Sequence, residues 1–181
     1  IGNRNWHPYF ADTVQELVDA GHERVLALAT SAYSSYSGCR QYNEDLQRAA
    51  DGRPIHIDKV DPFAETPGFV SANARALGEA VRRLRARIGE NTLRVLFVTH
   101  SIPSAMNEAS STGEPERRYD AQHLRVAAAV AAEASALVGE ELAWELTFCS
   151  RSGAPHIPWL EPDVNDRMPE VQADGVAGVV A

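Results

Sequence analysis

The sequence predicts an α/β fold built on parallel strands, and three observations lead to this prediction. Short apolar runs alternate with helical segments along the chain. The run over 95–98 has the length and the β-branched residues of a strand covered on both faces of a parallel sheet. The helical segments between the runs are long enough to be crossover connections. We therefore expect doubly wound parallel strands with flanking helices and with ligand-binding loops at the carboxyl ends of the strands.

The first third of the chain follows the pattern helix, strand, helix, strand. Pro8 is typical of the first turn of a helix, and Gly21 is typical of its end. A buried strand over 25–29 should follow, and then a hydroxyl-rich loop, a helix over 40–50 and a short strand over 55–60. We expect this part to form one lobe, over residues 1–62.

The second lobe is predicted over residues 63–181. Its first helix has Thr66 as N-cap and Pro67 at the first helical position. A strand over 93–99 comes next, and a further strand over 144–148 follows an alanine-rich helix over 120–138. We expect that helix to pack through Leu124, Ala128, Ala131 and Leu137. A last apolar segment begins near Val176, and we expect the chain to be an excerpt that is incomplete at both ends.

Composition excludes several classes of function. Lys and Arg number 17 against 25 Asp and Glu, a net charge of -8, so we expect no nucleic-acid partner. No apolar run approaches the roughly 20 residues of a transmembrane segment. Cys39 and Cys149 stand apart without a CxxC motif, which indicates neither a zinc site nor a disulfide framework. A reducing, cytoplasmic location fits these observations.

The strongest functional signal is the end of the strand over 93–99. It runs into Thr99-His-Ser-Ile-Pro103, which places an imidazole where α/β sheets bind ligands. Two other loops follow predicted strands: the hydroxyl-rich segment over 30–42 and the loop that contains Trp159. The chain has no GxSxG, GxGxxG or GxxxxGK[ST] motif, so serine-hydrolase, dinucleotide and P-loop chemistry are disfavoured.

At these residues the chain resembles the ferrochelatase family. The motif Thr99-His-Ser-Ile-Pro103 is followed by Pro158-Trp-Leu160 and Pro162-Asp-Val164 at the family's separation. The upstream segments Gly2-Asn-Arg-Asn-Trp-His-Pro-Tyr9 and Ser34-Ser-Tyr-Ser-Gly-Cys-Arg-Gln-Tyr42 resemble the actinobacterial branch, the coproporphyrin III ferrochelatases. The resemblance covers essentially the whole chain and implies two Rossmann-like lobes: the C-terminal part of the first over 1–62 and most of the second over 63–181.

The resemblance also implies roles for particular residues. His100 resembles the family's active-site histidine, as Fe²⁺ ligand or as acceptor of the pyrrole protons. Tyr42 resembles an aromatic residue that lines the porphyrin site, Arg4 a basic residue that contacts a propionate, and Trp159 a tryptophan at the porphyrin's side. We count Ser101, in the same motif, among the substrate-binding residues. The second catalytic carboxylate is expected after the strand near Val176, outside this chain.

Metal insertion independently requires these residue types. It releases two pyrrole protons, and an imidazole with a pKa of about 6.5 can accept a proton near neutral pH. Neutral imidazole also binds Fe²⁺. Aromatic side chains offer a flat apolar surface for the macrocycle, and the guanidinium group of arginine can make two parallel hydrogen bonds to a propionate carboxylate. The expected activity is Fe²⁺ insertion into coproporphyrin III to form coproheme in heme biosynthesis, with transient contacts to other enzymes of that pathway.

Two points stay open at the level of sequence. Cys39 lies where some family members have one ligand of a [2Fe-2S] cluster, so a cluster in the full-length protein is one interpretation and a reduced loop cysteine is the other. The alternative functions are a chelatase for another metal or tetrapyrrole and a non-catalytic, two-lobed ligand-binding module. We expect this stretch alone to be inactive or unstable.

Overall fold

The chain divides into two compact units, Ile1–Pro62 and Phe63–Ala181. The computed structural model describes residues 1–35, 40–111, 114–154 and 156–181. Both units are α/β: each has a sheet of parallel strands flanked by helices, which confirms the predicted fold class. Within the described ranges, no helix combines the length and the apolar character needed to cross a membrane.

Unit 1 contains two helices and two strands within its described residues. In chain order they are α1 (Phe10–Asp19), β1 (Arg24–Ala27), α2 (Tyr42–Ala50) and β2 (His56–Lys59). The strands pair in parallel, with Val25 opposite Ile57. Helix α1 has the amphipathic pattern that the sequence predicts, and Val14 lies buried on its inner face.

The prediction of a buried strand over 25–29 is wrong about burial. Leu26 is 71% exposed and Leu28 is 64% exposed, while Val25 and Ala27 are partly covered. Side chains alternate between the two faces of a strand, so only one face of β1 is covered within the described part of unit 1. The apolar run therefore identified the strand correctly but overestimated how much of it is packed.

Unit 2 is built around the central strand β3 (Leu93–His100). Strands β4 (Trp144–Cys149) and β5 (Gly178–Val180) flank it, both parallel to it, in the order β4-β3-β5. The helices are α3 (Pro67–Ile88), α4 (Ser104–Ala109), α5 (Tyr119–Val138) and α6 (Val164–Ala173), with a short 3₁₀ turn at Pro115–Arg117. The first half of β3 supplies the core, because Leu93, Val95 and Leu96 are at most 5% exposed.

Of the four residues through which helix α5 was predicted to pack, Ala131 is buried, whereas Leu124, Ala128 and Leu137 are exposed. Leu124 is 46% exposed and Leu137 is 44% exposed, whereas the buried face repeats every three or four residues. Its members are Tyr119, Gln122, His123, Val126, Ala127, Val130, Ala131 and Ala134. Alanine is abundant on every side of this helix, so side-chain size gave no contrast from which to identify the inner face.

The predicted helix cap at Thr66 is confirmed, and Asp163 forms a second cap. The Thr66 hydroxyl accepts a hydrogen bond from the backbone N–H of Phe69 at 3.4 Å, with Pro67 as the first residue of α3. The Asp163 carboxylate accepts one from the backbone N–H of Asn165 at 2.8 Å and so begins α6. The second cap fixes the end of the loop that carries Trp159.

Candidate functional site

His100 is the last residue of β3, and its side chain is exposed. Along the strand, burial changes from almost complete at Val95 and Leu96 to accessible at His100. A parallel sheet opens to solvent at its carboxyl edge, because the flanking helices leave room there for loops. The imidazole can therefore be reached from outside unit 2, as a ligand or proton acceptor must be.

A chain of hydrogen bonds between β3 and α5 holds the backbone of His100 in place. The Tyr119 hydroxyl donates to the carbonyl oxygen of His100 at 3.0 Å. The same hydroxyl lies 2.9 Å from the Thr99 hydroxyl, which lies 3.3 Å from Nε2 of His123. A hydroxyl group has a single hydrogen to donate, so Tyr119 must accept from Thr99 and Thr99 must accept from His123. The network therefore requires a proton on Nε2 of His123.

Burial keeps this network uncharged. Burial lowers the pKa of His123 to about 4, although the nearby Asp120 opposes the shift. Burial also raises the pKa of the Tyr119 phenol above its ordinary value. Near neutral pH both groups are therefore neutral, and the order of donors assigns the single proton of the neutral His123 ring to Nε2. Tyr119 and His123 also make an edge-on ring contact, with centroids 4.4 Å apart.

Ser101 joins two loops. It is 1% exposed, its backbone N–H donates to the Cys149 carbonyl at 2.8 Å, and its hydroxyl donates to the Leu160 carbonyl at 2.8 Å. The hydroxyl is therefore used inside the fold. This placement favours a positioning role for Ser101 over direct contact with a ligand.

The His100 loop and the Trp159 loop run side by side. The backbone N–H of Ser104 donates to the Pro158 carbonyl at 3.0 Å, and that of Leu160 donates to the Ile102 carbonyl at 3.0 Å. Between these bonds, Pro103 and Trp159 form an isolated antiparallel bridge. Residues almost sixty positions apart in the sequence are thus held together at the carboxyl edge of the unit 2 sheet.

Trp159 is partly buried within this pair of loops. Its indole Nε1 is inaccessible to solvent and has no hydrogen-bond partner in the described part of the chain. Buried indole N–H groups normally have a partner, so the indole is anchored by packing alone. On the far side the loop returns to β4, where the Phe148 N–H donates to the Pro162 carbonyl at 2.9 Å.

Unit 1 contains the other two candidate residues, Arg4 and Tyr42. Both line a cavity of about 380 Å³ together with Thr30, Leu46 and Lys59, among others. The guanidinium carbon of Arg4 lies 5.9 Å from the centroid of the Tyr42 ring, within the range of a cation–π contact. Arg4 Nε also lies 3.0 Å from the Asp45 carboxylate. The sequence thus predicted two residues that share one cavity.

Three residues with a place in these sites were missed by the sequence analysis: Lys59, Tyr119 and His123. Lys59 is the chain's only lysine, and this could have drawn attention to it as a candidate binding residue. Tyr119 and His123 stand on a helix that the sequence marked as packing through other positions. Their contact with β3 depends on how α5 is rotated, which the alanine-rich pattern could not indicate.

No resident metal centre is formed by the residues that the structure describes, since they contain no group of three or more His, Cys, Asp or Glu side chains placed to hold an ion. Cys39 lies outside the described residues. Cys149 is partly buried at the end of β4, where its sulfur accepts a hydrogen bond from the Ser150 hydroxyl at 3.5 Å. A metal at His100 would therefore need ligands from elsewhere, such as the substrate itself.

Comparison with known proteins gives a consistent result. The ferrochelatase family model matches residues 1–181. The chain is 45% identical over 197 residues to the coproporphyrin III ferrochelatase of Leifsonia xyli subsp. xyli, and 43% and 41% identical over 188 residues to those of Streptomyces coelicolor and Streptomyces griseus. Each comparison covers 99% of this chain and 50% of the relative, so the chain spans about half the length of these curated relatives. The chain belongs to the ferrochelatase family.

Proposed function

We propose that the full-length protein inserts Fe²⁺ into coproporphyrin III and forms coproheme in heme biosynthesis. The observation that carries the proposal is the exposed imidazole of His100 at the carboxyl end of β3, on a backbone fixed by buried hydrogen bonds. The relatives named as coproporphyrin III ferrochelatases support the choice of porphyrin. In this proposal residues 1–62 are the C-terminal part of the first Rossmann-like lobe, and residues 63–181 are most of the second.

The reaction needs a base and no change of oxidation state. Two pyrrole N–H bonds break, four Fe–N bonds form to Fe²⁺, and two protons leave the macrocycle. An accessible imidazole can accept one of these protons, or it can bind the incoming Fe²⁺ through its neutral ring nitrogen. In both roles the rate depends on the position of the imidazole relative to the pyrrole nitrogens of the substrate. The hydrogen-bond network that fixes the backbone of His100 therefore has a function in this proposal.

The other candidate residues hold the substrate in this proposal. Trp159 offers an apolar face beside the macrocycle, and Tyr42 offers one in the unit 1 cavity. Arg4 presents a guanidinium that can bind a propionate carboxylate. Ser101 acts on the substrate indirectly, by fixing the loop that carries Trp159. The net charge of -8 supports a small-molecule substrate over nucleic acid, and we place the reaction in the cytoplasm.

A [2Fe-2S] cluster does not fit the residues of this chain. Such clusters are usually held by four cysteine thiolates, and the 181 residues contain two cysteines that stand 110 positions apart. A cluster that used Cys39 would need its other ligands from the rest of a longer protein.

The test is Fe²⁺ insertion into coproporphyrin III by the full-length protein, followed by the loss of the porphyrin's absorbance under anaerobic conditions. We expect a His100→Ala variant to lose roughly 10²–10⁴-fold in kcat, as is usual when a positioned acid–base group is removed. Porphyrin binding, measured by fluorescence quenching, should change little. His156→Ala is the matched control, because His156 is an exposed histidine of the same unit. Full metallation by His100→Ala would refute the proposed role of the imidazole.

A further inference from the structure

The unit 1 cavity contains a second cation besides Arg4, and we propose that it is a binding residue for a carboxylate of the substrate. That cation is Lys59, the last residue of β2. The inference rests on the proposed function and deepens it, because it adds a residue that recognises the acidic side chains of the porphyrin. Among 17 Lys and Arg residues, Lys59 is the single lysine.

The charge of Arg4 is already partly compensated within the protein, by a carboxylate that Arg4 shares with Arg48. Nε of Arg4 lies 3.0 Å from Oδ2 of Asp45, and the Arg4 side chain is 27% exposed while that of Asp45 is 14% exposed. A ligand that binds Arg4 must therefore share it with a carboxylate already in contact.

Lys59 has no such partner. Its Nζ donates to the Val60 carbonyl at 3.0 Å, and no carboxylate lies within 4.0 Å of it in the described part of the chain. The neighbouring carboxylate, Asp58, points to the other face of the strand, where it pairs with Arg24 at 2.7 Å and lies 3.0 Å from His56. An ammonium group carries three N–H donors, so two of them remain for a ligand.

The rest of the cavity suggests what the ligand looks like. Apolar and aromatic side chains form much of its wall: Phe10, Leu28, Tyr42 and Leu46. A volume of about 380 Å³ lies within the usual range of roughly 300–1,000 Å³ for small-molecule sites. An uncompensated ammonium beside an apolar wall suits a molecule that has a flat hydrophobic body and carboxylates at its edge. Coproporphyrin III has that chemistry, and it has four propionates to distribute among basic residues.

The two cations would bind carboxylates in different ways. Arg4 has a planar fork suited to bidentate contact, whereas Lys59 is a point charge that tolerates several approach angles. Lys59 should therefore contribute affinity with less demand on geometry. Its contribution should grow with the number of carboxylates, so a porphyrin with two propionates should depend on it less than one with four.

The experiment uses the full-length protein and measures the Kd of coproporphyrin III by fluorescence quenching, with kcat and KM for Fe²⁺ insertion. Lys59→Met removes the charge and keeps most of the stem, and Lys59→Arg keeps the charge. We expect Lys59→Met to raise Kd and KM roughly 5- to 20-fold with kcat within about twofold, in keeping with the loss of a charged hydrogen bond at a partly exposed site. Lys59→Arg should restore most of the affinity. Mesoporphyrin IX, a two-propionate probe, should show a smaller effect.

The matched control is Arg24→Met, which removes a cation from the neighbouring strand outside the cavity. It should leave Kd unchanged. If thermal unfolding shows that Lys59→Met is poorly folded, Lys59→Gln is used in its place. An unchanged Kd in an active Lys59 variant would overturn the inference and leave the proposed function intact. A wild-type protein that neither binds nor metallates coproporphyrin III would instead refute the proposed function.

Discussion

The two units hold their candidate residues by different physical means. Around His100 the supporting side chains are uncharged and mostly buried, namely Thr99, Ser101, Tyr119 and His123. In the unit 1 cavity the supporting groups are charged and partly exposed, as in the pair Arg4 and Asp45. Neutral buried hydrogen bonds fix geometry and are insensitive to salt, whereas partly exposed charges respond to ionic strength. The comparison indicates that unit 2 mainly fixes the position of its candidate residues, whereas unit 1 mainly sets the charge that a ligand meets in the cavity.

The largest effect that tests this comparison is the pH dependence of stability due to His123. Its pKa in the folded protein is about 4, below the ordinary value of 6.5. Between these values the unfolded chain binds a proton that the folded chain does not, so stability is complete above pH 6.5 and falls as pH falls toward 4. The loss should amount to about 2–3 kcal/mol.

The measurement compares wild-type protein and a His123→Gln variant by urea unfolding of the full-length protein at pH 7, 5.5 and 4.5. The difference in the free energy of unfolding between the two proteins should shift in favour of the variant as pH falls. A His156→Gln variant is the control, since His156 is exposed and its replacement should give no such trend. Parallel curves for wild type and His123→Gln would mean that His123 is not buried in its neutral form.

The next effect in size is the contribution of Ser101. Ser101→Ala removes the hydroxyl that donates to the Leu160 carbonyl at 2.8 Å and leaves that carbonyl without this partner. We expect a loss of about 1–3 kcal/mol in the free energy of unfolding, because an unpaired buried polar group keeps its full desolvation cost. The exposed Ser152 provides the control, and Ser152→Ala should stay within about 0.5 kcal/mol of wild type.

The Ser101→Ala variant can also contradict the comparison between the two units. If Ser101→Ala weakens coproporphyrin binding and leaves stability unchanged, the hydroxyl acts on the ligand, and the uncharged residues of unit 2 are not mainly positional. If stability falls and kcat decreases at nearly constant Kd, the hydroxyl acts through the Trp159 loop. The two outcomes are separated by measuring unfolding and binding on the same preparation.

Much of the fold could be predicted from the sequence, because strands and helices leave strong local patterns. The parallel arrangement followed from the helices between strands, and Thr66 was recognisable as a cap from residue type and position. Burial was harder to predict. Leu26 looks like a core residue in the sequence, yet its exposure depends on what covers one face of β1, which is not a local property.

The candidate site was predictable where motifs mark it and not where packing forms it. His100 and Trp159 stand in recognisable motifs, and their loops are hydrogen-bonded side by side. Tyr119 and His123 contact β3 only because of the orientation of α5 about its own axis. The many alanines of α5 give no sequence signal for that orientation. Lys59 was missed because a single lysine at a strand end has many ordinary explanations; its significance comes from the absence of a carboxylate partner in the described part of the cavity.

The smallest effect concerns the charge of the unit 1 cavity. Asp45→Asn removes the carboxylate that Arg4 and Arg48 share and raises the net positive charge next to the cavity by one. We expect the Kd of coproporphyrin III to fall about two- to fivefold at low ionic strength, which corresponds to the usual strength of a partly exposed ion pair. The gain should disappear near 1 M salt, where the Debye length is about 3 Å.

Glu44→Gln is the matched control for this last variant. Glu44 is a carboxylate on the same helix, but it pairs with Arg40 at 2.9 Å and does not line the cavity. Its replacement should leave Kd unchanged at every salt concentration. Weaker binding by Asp45→Asn would show that Asp45 serves to hold the Arg4 side chain in place. In that case unit 1, like unit 2, would act on its ligand through position, and charge would be secondary in both.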